Sequence, residues 1–344
     1  MRRKNSSVIF KEGFINQEEI FKIYSVFKKK LKPFIKKKLL VAVSGGPDSL
    51  ALTALLKAVS YEKKCKIYYV LIDHNLRKES SKEAQLVKKL LTKHNINLFV
   101  LKNKKTIDKN VQSQARKIRY DLLIEFCKKK GISTILTAHN LEDQVETFFI
   151  RLSRGSGLHG LSSMKEISKL EKKITLVRPL LDIKKIQLIE ISKSVFGKFY
   201  KDPSNNDTKY LRTRIRGLKT ILEKKGINYD QIAKSIKNLS SSRDTLDLYF
   251  NKIYKDLLIT KKKYISLNLD KFNNLNQEMR MRVLSRSIKE ISKSYYLVRS
   301  KKIINLDTKL KIKNNFKLSL SGCLIFKDKK QIIIKKAKKN RILW

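Results

Sequence analysis

Short apolar runs alternate with longer stretches in which apolar positions recur at helical spacing through the first two thirds of the chain. The runs are Leu39 to Val43, Ile67 to Ile72, Leu98 to Leu101, Thr134 to Thr137 and Ile174 to Val177. The helical stretches include Leu50 to Val59, Lys82 to Lys93, Gln112 to Lys130 and Leu141 to Arg154. Strands separated by helices need right-handed crossovers, so the pattern predicts an α/β fold with a parallel sheet covered by helices on both faces. Ligands of such sheets bind beyond the carboxyl ends of the strands. The polar residues that end the runs are therefore the first functional candidates: Ser44 to Ser49, then Asp73 and His74, then His139.

The pattern changes after about Gly217. Ile221 to Leu258 reads as mainly helical and Asn276 to Ile291 as a further helix. Leu318 to Phe326 and Gln331 to Lys335 read as short β pieces joined by a hairpin turn at Lys327 to Lys330, and the Lys/Asn-rich stretch Asp307 to Asn315 as a loop or linker. A chain of 344 residues is long for a single core. The expected division is a helical N-terminal extension over 1–36, an α/β catalytic domain over 37–220 and a smaller, mostly helical region with a short β hairpin over 221–344.

The six residues Ser44, Gly45, Gly46, Pro47, Asp48 and Ser49 fall between the first run and a helix. Glycines let backbone N–H groups approach an oxyanion, and the helix start offers its unbonded N–H groups and positive dipole end to the same charge. Pro47 suits the first helical turn. The segment reads as a phosphate cradle, without the Gly-Lys-Ser/Thr of a Walker loop. Asp48 would repel a polyphosphate unless a cation bridged them, which implies Mg²⁺.

Composition adds a second ligand. Lys plus Arg total 80 against 30 Asp plus Glu, a formal net charge of +50. A lysine-rich compositional bias alone would raise Glu as well, so the excess favours a polyanionic partner, with nucleic acid first. No apolar stretch reaches the roughly 18 residues of a spanning helix, and Met1 to Gln17 lacks a signal-peptide core. Cys65, Cys127 and Cys323 are isolated, with no C-x-x-C pair. A cytoplasmic protein without a membrane partner is expected.

Asp143 and Glu146 lie three apart on one helix face, headed by His139. They could hold Mg²⁺, orient an ammonium group or accept its proton, or Glu146 could pair with a neighbour such as Arg151 or Arg154. Arg116 and Arg119, beside Tyr120, offer forked donors for phosphate oxygens, or are solvated surface groups. Asp73 and His74 end a strand where adenine or ribose could lie, or form a satisfied helix start. Arg154-Gly155-Ser156-Gly157 is a closing loop or a helix C-cap. Arg212, Arg214 and Arg216 near Tyr210 combine cations with a stacking aromatic, which suits an RNA loop.

Together these segments resemble the PP-loop ATPases, which cleave ATP between the α- and β-phosphates, and within them the tRNA(Ile)-lysidine synthetase family. Five collinear segments carry the resemblance: the cradle; Asp73-His74-Asn75-Leu76-Arg77; Asn110 to Tyr120; His139 to Thr147 running on to Gly157; and Asp202-Pro203-Ser204-Asn205 with Tyr210-Leu211-Arg212. The family usually has Asn where Thr213 stands here. The resemblance implies ATP and Mg²⁺ as cofactors. It further implies free L-lysine and a tRNA(Ile) with a CAU anticodon as substrates, and a reaction in which the C2 oxygen of cytidine 34 is adenylated and AMP is then displaced by the lysine ε-amine. Lysidine results, and codon reading changes from AUG to AUA. In this reading Asp48, Asp143 and Glu146 are catalytic and Asp48 and Asp143 hold metal. The nucleotide is bound by Ser44 to Ser49, Asp73, His74, Arg116, Arg119 and His139. Arg154, Tyr210, Arg212, Arg214 and Arg216 face tRNA, and the C-terminal region over 221–344 helps to hold it. The oligomeric state is left open, a homodimer included. A related tRNA 2-thiolase and a non-catalytic RNA-binding protein are the competing expectations; isolated cysteines disfavour the first and the intact acidic residues the second.

Overall fold

The computed structural model describes residues 17–35, 37–63, 65–75, 79–104, 107, 111–200, 207–261, 264–294, 298–312 and 316–337, with the backbone alone at 112, 260, 261 and 316. Two compact units divide it, Met1–Ser241 and Ser242–Trp344.

In the first unit helix α1 (Glu18–Leu31) precedes strand β1 (Leu39–Val43), helix α2 (Pro47–Glu62), β2 (Ile67–Asp73), α3 (Ser80–Lys93), β3 (Leu98–Lys102), α4 (Val111–Lys130) and β4 (Thr134–Leu136). Then come α5 (Leu141–Leu152), α6 (Leu158–Leu161), β5 (Ile167–Glu171), β6 (Ile174–Val177), α7 (Lys185–Phe196), α8 (Leu211–Gly217), α9 (Lys219–Lys224) and the start of α10 (Tyr229–Leu257). The sheet order is β3-β2-β1-β4-β6-β5. Every described pairing in it is parallel except β5 with β6, where an edge hairpin that the alternation did not reveal turns the chain back.

β1 is buried on both faces, as an interior parallel strand must be. Leu39 and Val41 join one core with α1, α2, α3 and α7, while Leu40 joins the other with Tyr120, Leu123 and Phe126 of α4. α2 is buried nearly all round from Ser49 to Val59, so its position relative to the sheet is set by packing on both sides. α1 buries a single stripe, Ile20, Ile23, Tyr24, Phe27 and Leu31, in the same core. β1 pairs with β2 on one edge and β4 on the other, so the chain leaves the sheet in opposite directions after these two strands. That is a topological switch point, and the crevice it opens lies at the carboxyl ends of β1 and β4.

The second unit contains most of α10, then β7 (Leu258–Lys261), β8 (Tyr264–Asn268), α11 (Leu269–Asn273), α12 (Gln277–Ser292), α13 (Ser300–Ile312), β9 (Phe316–Leu320), β10 (Cys323–Lys327) and β11 (Gln331–Lys336). Its strands form one antiparallel sheet in the order β7-β8-β11-β10-β9. Helical content and the hairpin at 327–330 are as expected, but the stretch Leu318 to Phe326 is two strands. Ser321 and Gly322 both have positive φ, 51° and 75°, and make the tight turn between them. The stretch from Asp307 is helical as far as Ile312, because Ile303, Leu306 and Leu310 bury an apolar stripe that outweighs its Lys/Asn composition.

Candidate active site

The loop after β1 is knitted by one side chain. Ser49 Oγ accepts from the Ser44 N–H (3.1 Å), lies 3.1 Å from Ser44 Oγ and donates to the Gly46 carbonyl at 3.0 Å. Gly45 has φ +83°, and a Cβ there would collide with a methyl of Val87. Gly46 caps α2 and Pro47 opens it, so the first-turn N–H groups point into the switch-point crevice.

Asp48 sits in the first turn of α2 with Oδ1 buried and without a hydrogen-bond partner. Burial, opposed by Lys185 and reinforced by Asp143, pushes its carboxyl up to about 6. A buried, partnerless carboxylate oxygen beside a second carboxylate is a poor resting arrangement for anions alone and a good one for a divalent cation. Among the described residues no group of three or more His, Cys, Asp or Glu could hold a metal ion. The Asp48–Asp143 pair instead fits the way Mg²⁺ is usually held, by one or two carboxylates together with substrate phosphates.

Asn140 caps α5, accepting from the Asp143 N–H at 2.9 Å while Asp143 Oδ2 accepts from the Asn140 N–H at 3.1 Å. This capping box fixes Asp143 and leaves Oδ1 3.4 Å from Arg212 Nη2. Glu142 is tied elsewhere, accepting from the Lys185 N–H and from Lys219 Nζ. One turn on, Glu146 is only 2% exposed and accepts from Arg212 Nε and Arg216 Nε, each at 2.7 Å. Arg151, one of the neighbours considered for Glu146, instead donates to the Gly160 and Ser163 carbonyls.

α8 is helical, so Arg212 and Arg216, four apart, share the face toward Glu146, whereas Arg214 is exposed on another. The alternation of these arginines in the sequence is therefore not an alternation of faces. Arg154 is exposed in the turn after α5, and Tyr210 stands at the N-cap of α8.

After β4, His139 Nδ1 lies 2.9 Å from Thr137 Oγ1. Desolvation, with the charges of Arg178, Arg116, Arg212 and Arg119, holds its imidazole well below the usual histidine range. His139 is thus a neutral ring in a field of four arginines, and Arg116 and Arg119 belong to that field. Arg116 also lies over Tyr120, 5.3 Å from the ring centroid. Asp73 at the end of β2 accepts from Ser81 Oγ (2.7 Å), Ser80 Oγ (2.8 Å) and the Asn75 N–H (2.9 Å), tying that strand end to the start of α3. Burial raises its carboxyl, but these bonds and Lys102 outweigh it and leave it below the ordinary range. The carbonyl of His74 accepts from Asn103 Nδ2. Leu76, Arg77, Asn110 and 202–205 lie outside the described residues.

Sequence reasoning missed Arg178, Lys185 and Asn140. Arg178 directly follows the run Ile174 to Val177, so the strand-end rule could have found it. Lys185 could not be found, because only the fold brings it to Asp48. Cys127 and Cys323 are buried and Cys65 is half-buried, all three as free thiols.

A glycine cradle at the switch point of a parallel sheet, with one carboxylate oxygen left unpartnered in its first helical turn, defines a nucleotide-binding α/β domain. Residues 20–222 match the family model described as a PP-loop domain. The chain is 35% identical over 309 residues to the tRNA(Ile)-lysidine synthase of Wolbachia pipientis wMel, covering 88% of this chain and 71% of that one. It is 34% identical over 262 residues to that of Bradyrhizobium diazoefficiens, covering 73% and 72%. Among solved structures, the U34-tRNA thiolase NcsA from Methanococcus maripaludis matches with a TM-score of 0.55 at 19% identity, over 64% of this chain and 78% of that one, a likeness of fold. The chain belongs to the PP-loop family and, within it, to the tRNA(Ile)-lysidine synthases, ligase-type tRNA-modifying enzymes. Among the described residues no helix is long and apolar enough to cross a membrane.

Proposed function

We propose that this chain joins free L-lysine to C2 of the wobble cytidine, C34, of a CAU-anticodon tRNA(Ile) in the cytoplasm, converting ATP to AMP and pyrophosphate. The observation that carries the reading is the Asp48–Asp143 pair at the mouth of the Ser44–Ser49 cradle, with one buried oxygen unsatisfied. In the first half-reaction the C2 oxygen attacks the α-phosphorus and pyrophosphate leaves. The loop N–H groups and α2 start hold phosphate oxygens, and Arg116, Arg119 and Arg178 set a positive field where negative charge develops. His139, held neutral, adds a hydrogen-bonding ring to that field without a further charge. Asp48 and Asp143 would hold Mg²⁺, which when bound offsets phosphate charge.

In the second half-reaction the ε-amine attacks C2 and the C2–oxygen bond breaks, releasing AMP. The amine must first lose a proton. Asp143, whose ion pair with Arg212 is the longer one at 3.4 Å, is better placed than Glu146 to orient that ammonium, since Glu146 accepts from Arg212 and Arg216 at 2.7 Å each; where Asp143 holds the cation, the proton would leave to solvent. Glu146 is then a positioning residue that holds Arg212 and Arg216 at the edge of the site.

The order of steps gives the test. With radiolabelled ATP, Mg²⁺ and tRNA but no lysine, label from the α-phosphate is expected on tRNA, and a lysine chase should discharge it as AMP. Lysidine formation with no label on tRNA at any time would rule out an accumulating adenylated intermediate.

A further inference from the structure

One ammonium group closes the turn that leads from β6 into α7. Lys30, near the end of α1, donates through Nζ to Asp182 Oδ1 at 2.7 Å and to the Pro179 carbonyl at 3.3 Å, and Glu166 Oε1 lies 3.6 Å away. Its side chain is only 20% exposed. These partners are the two ends of the turn 179–182 and the residue that enters the β5–β6 hairpin. Two cations of the site flank the turn, Arg178 before it and Lys185 after it, and the residues that follow it are bonded twice to the first turn of α5. The Leu141 N–H donates to the Ile183 carbonyl at 3.0 Å, and the Lys185 N–H to Glu142 Oε2 at 2.8 Å. Leu141 and Glu142 directly precede Asp143.

We propose that Lys30 is a positioning residue for the reaction set out above, holding the turn 179–182 so that α5 presents Asp143 at the cradle; the inference rests on that reading. α1 does not need the lysine to stay in place. Its buried stripe, and the Tyr24 hydroxyl that donates to Glu62 at 2.6 Å, already fix it to α2. The turn is held less evenly. Pro179 and Leu180 are buried but Leu181 and Ile183 only partly, and Asp182 is exposed, so the half of the turn that leads to α7 leans on the ammonium. A partly exposed ion pair contributes only about two- to fivefold in an equilibrium constant. Three acceptors sharing one ammonium raise that to about tenfold, the size of a single hydrogen bond to a charged group. The reaction rate is more sensitive still, because a displacement of about 1 Å at a reacting group can cost on the order of a hundredfold.

The test compares variants of the full chain in single-turnover transfer of α-phosphate label from ATP to tRNA, with Mg²⁺ and without lysine. Lys30→Met is expected to slow transfer about tenfold, while tRNA affinity and the ATP concentration for half-maximal rate stay unchanged, because its partners are the turn and the hairpin. Lys30→Arg should restore the rate. Asp182→Asn should reproduce the loss, and the double variant with Lys30→Met should be no slower than either single one. Lys28→Met, which removes the Lys28–Glu62 pair at 2.7 Å on the same helix but leaves the turn alone, should transfer label at the parent rate. Parent rate in Lys30→Met, an equal loss in Lys28→Met, or a loss confined to tRNA affinity would overturn the proposal. A second readout does not need the reaction: the Leu141 and Lys185 amide hydrogens should exchange about tenfold faster in Lys30→Met, with the α2 amides unchanged. Unaltered exchange at both would likewise overturn it. A parent chain that never labels tRNA would instead fault the proposed reaction, and the exchange measurement would then decide the role of Lys30 by itself.

Discussion

Asp48 carries a structural cost that the proposed cation site would put to use. Its folded carboxyl, at about 6, lies above the unfolded value of about 3.9, so the folded state binds the proton more tightly. That contribution to stability is complete below about pH 4, is lost as pH rises through 6, and is absent at neutral pH. Asp48→Asn should accordingly be more stable than the parent at pH 7.5 without metal, by on the order of 1–3 kcal/mol, with the gain vanishing near pH 4. Chemical denaturation across that range measures it. Mg²⁺ should raise the Tm of the parent and not of the variant; an equal rise in both would remove Asp48 from the cation site. Glu146 has the opposite character, since its charge is matched by Arg212 and Arg216. Removing one partner of a fully buried pair costs about 3–5 kcal/mol. Because these arginines are themselves 37% and 36% exposed and can turn to water, Glu146→Gln should cost less, about 1–3 kcal/mol in urea unfolding.

At the scale of elements, the loop between β1 and α2 is the most tightly specified segment. Gly45→Ala meets two obstacles, a left-handed φ that costs an L-residue about 1–2 kcal/mol and the clash with Val87. Weakened ATP binding and a stability loss of about 2–4 kcal/mol are expected, and Val87→Ala in the same chain should recover ATP affinity only in part because φ stays positive. Full recovery would show that packing alone constrains the loop. This segment was legible in the sequence because glycine, proline and strand-end position are local signals. Asp143 and His139 were legible for the same reason. The destination of Arg212 and Arg216 was not, since their pairing with Glu146 joins residues 66 and 70 positions apart and no periodicity encodes it. Nor was the antiparallel edge strand β5, whose half-exposed alternation resembles a loop, or the helical end of Asp307, which pairs with Arg280 inside the core.

For the whole molecule the dominant property is the net charge of +50. If phosphate contacts supply most of the tRNA affinity, each neutralised phosphate adds about 0.9 to the slope of log affinity against log salt for a duplex. Between low and physiological salt the affinity should therefore fall by orders of magnitude. A nearly flat dependence would mean that bulk charge is not what brings tRNA to the enzyme.

Nucleoside mass analysis reads the proposed product itself. CAU-anticodon tRNA(Ile) is incubated with the chain, ATP, Mg²⁺ and lysine, then digested to nucleosides. The wobble cytidine should gain the mass of lysine less one water, only when ATP and lysine are both present. Unchanged cytidine under all conditions, or a mass gain corresponding to sulfur in place of oxygen, would contradict it.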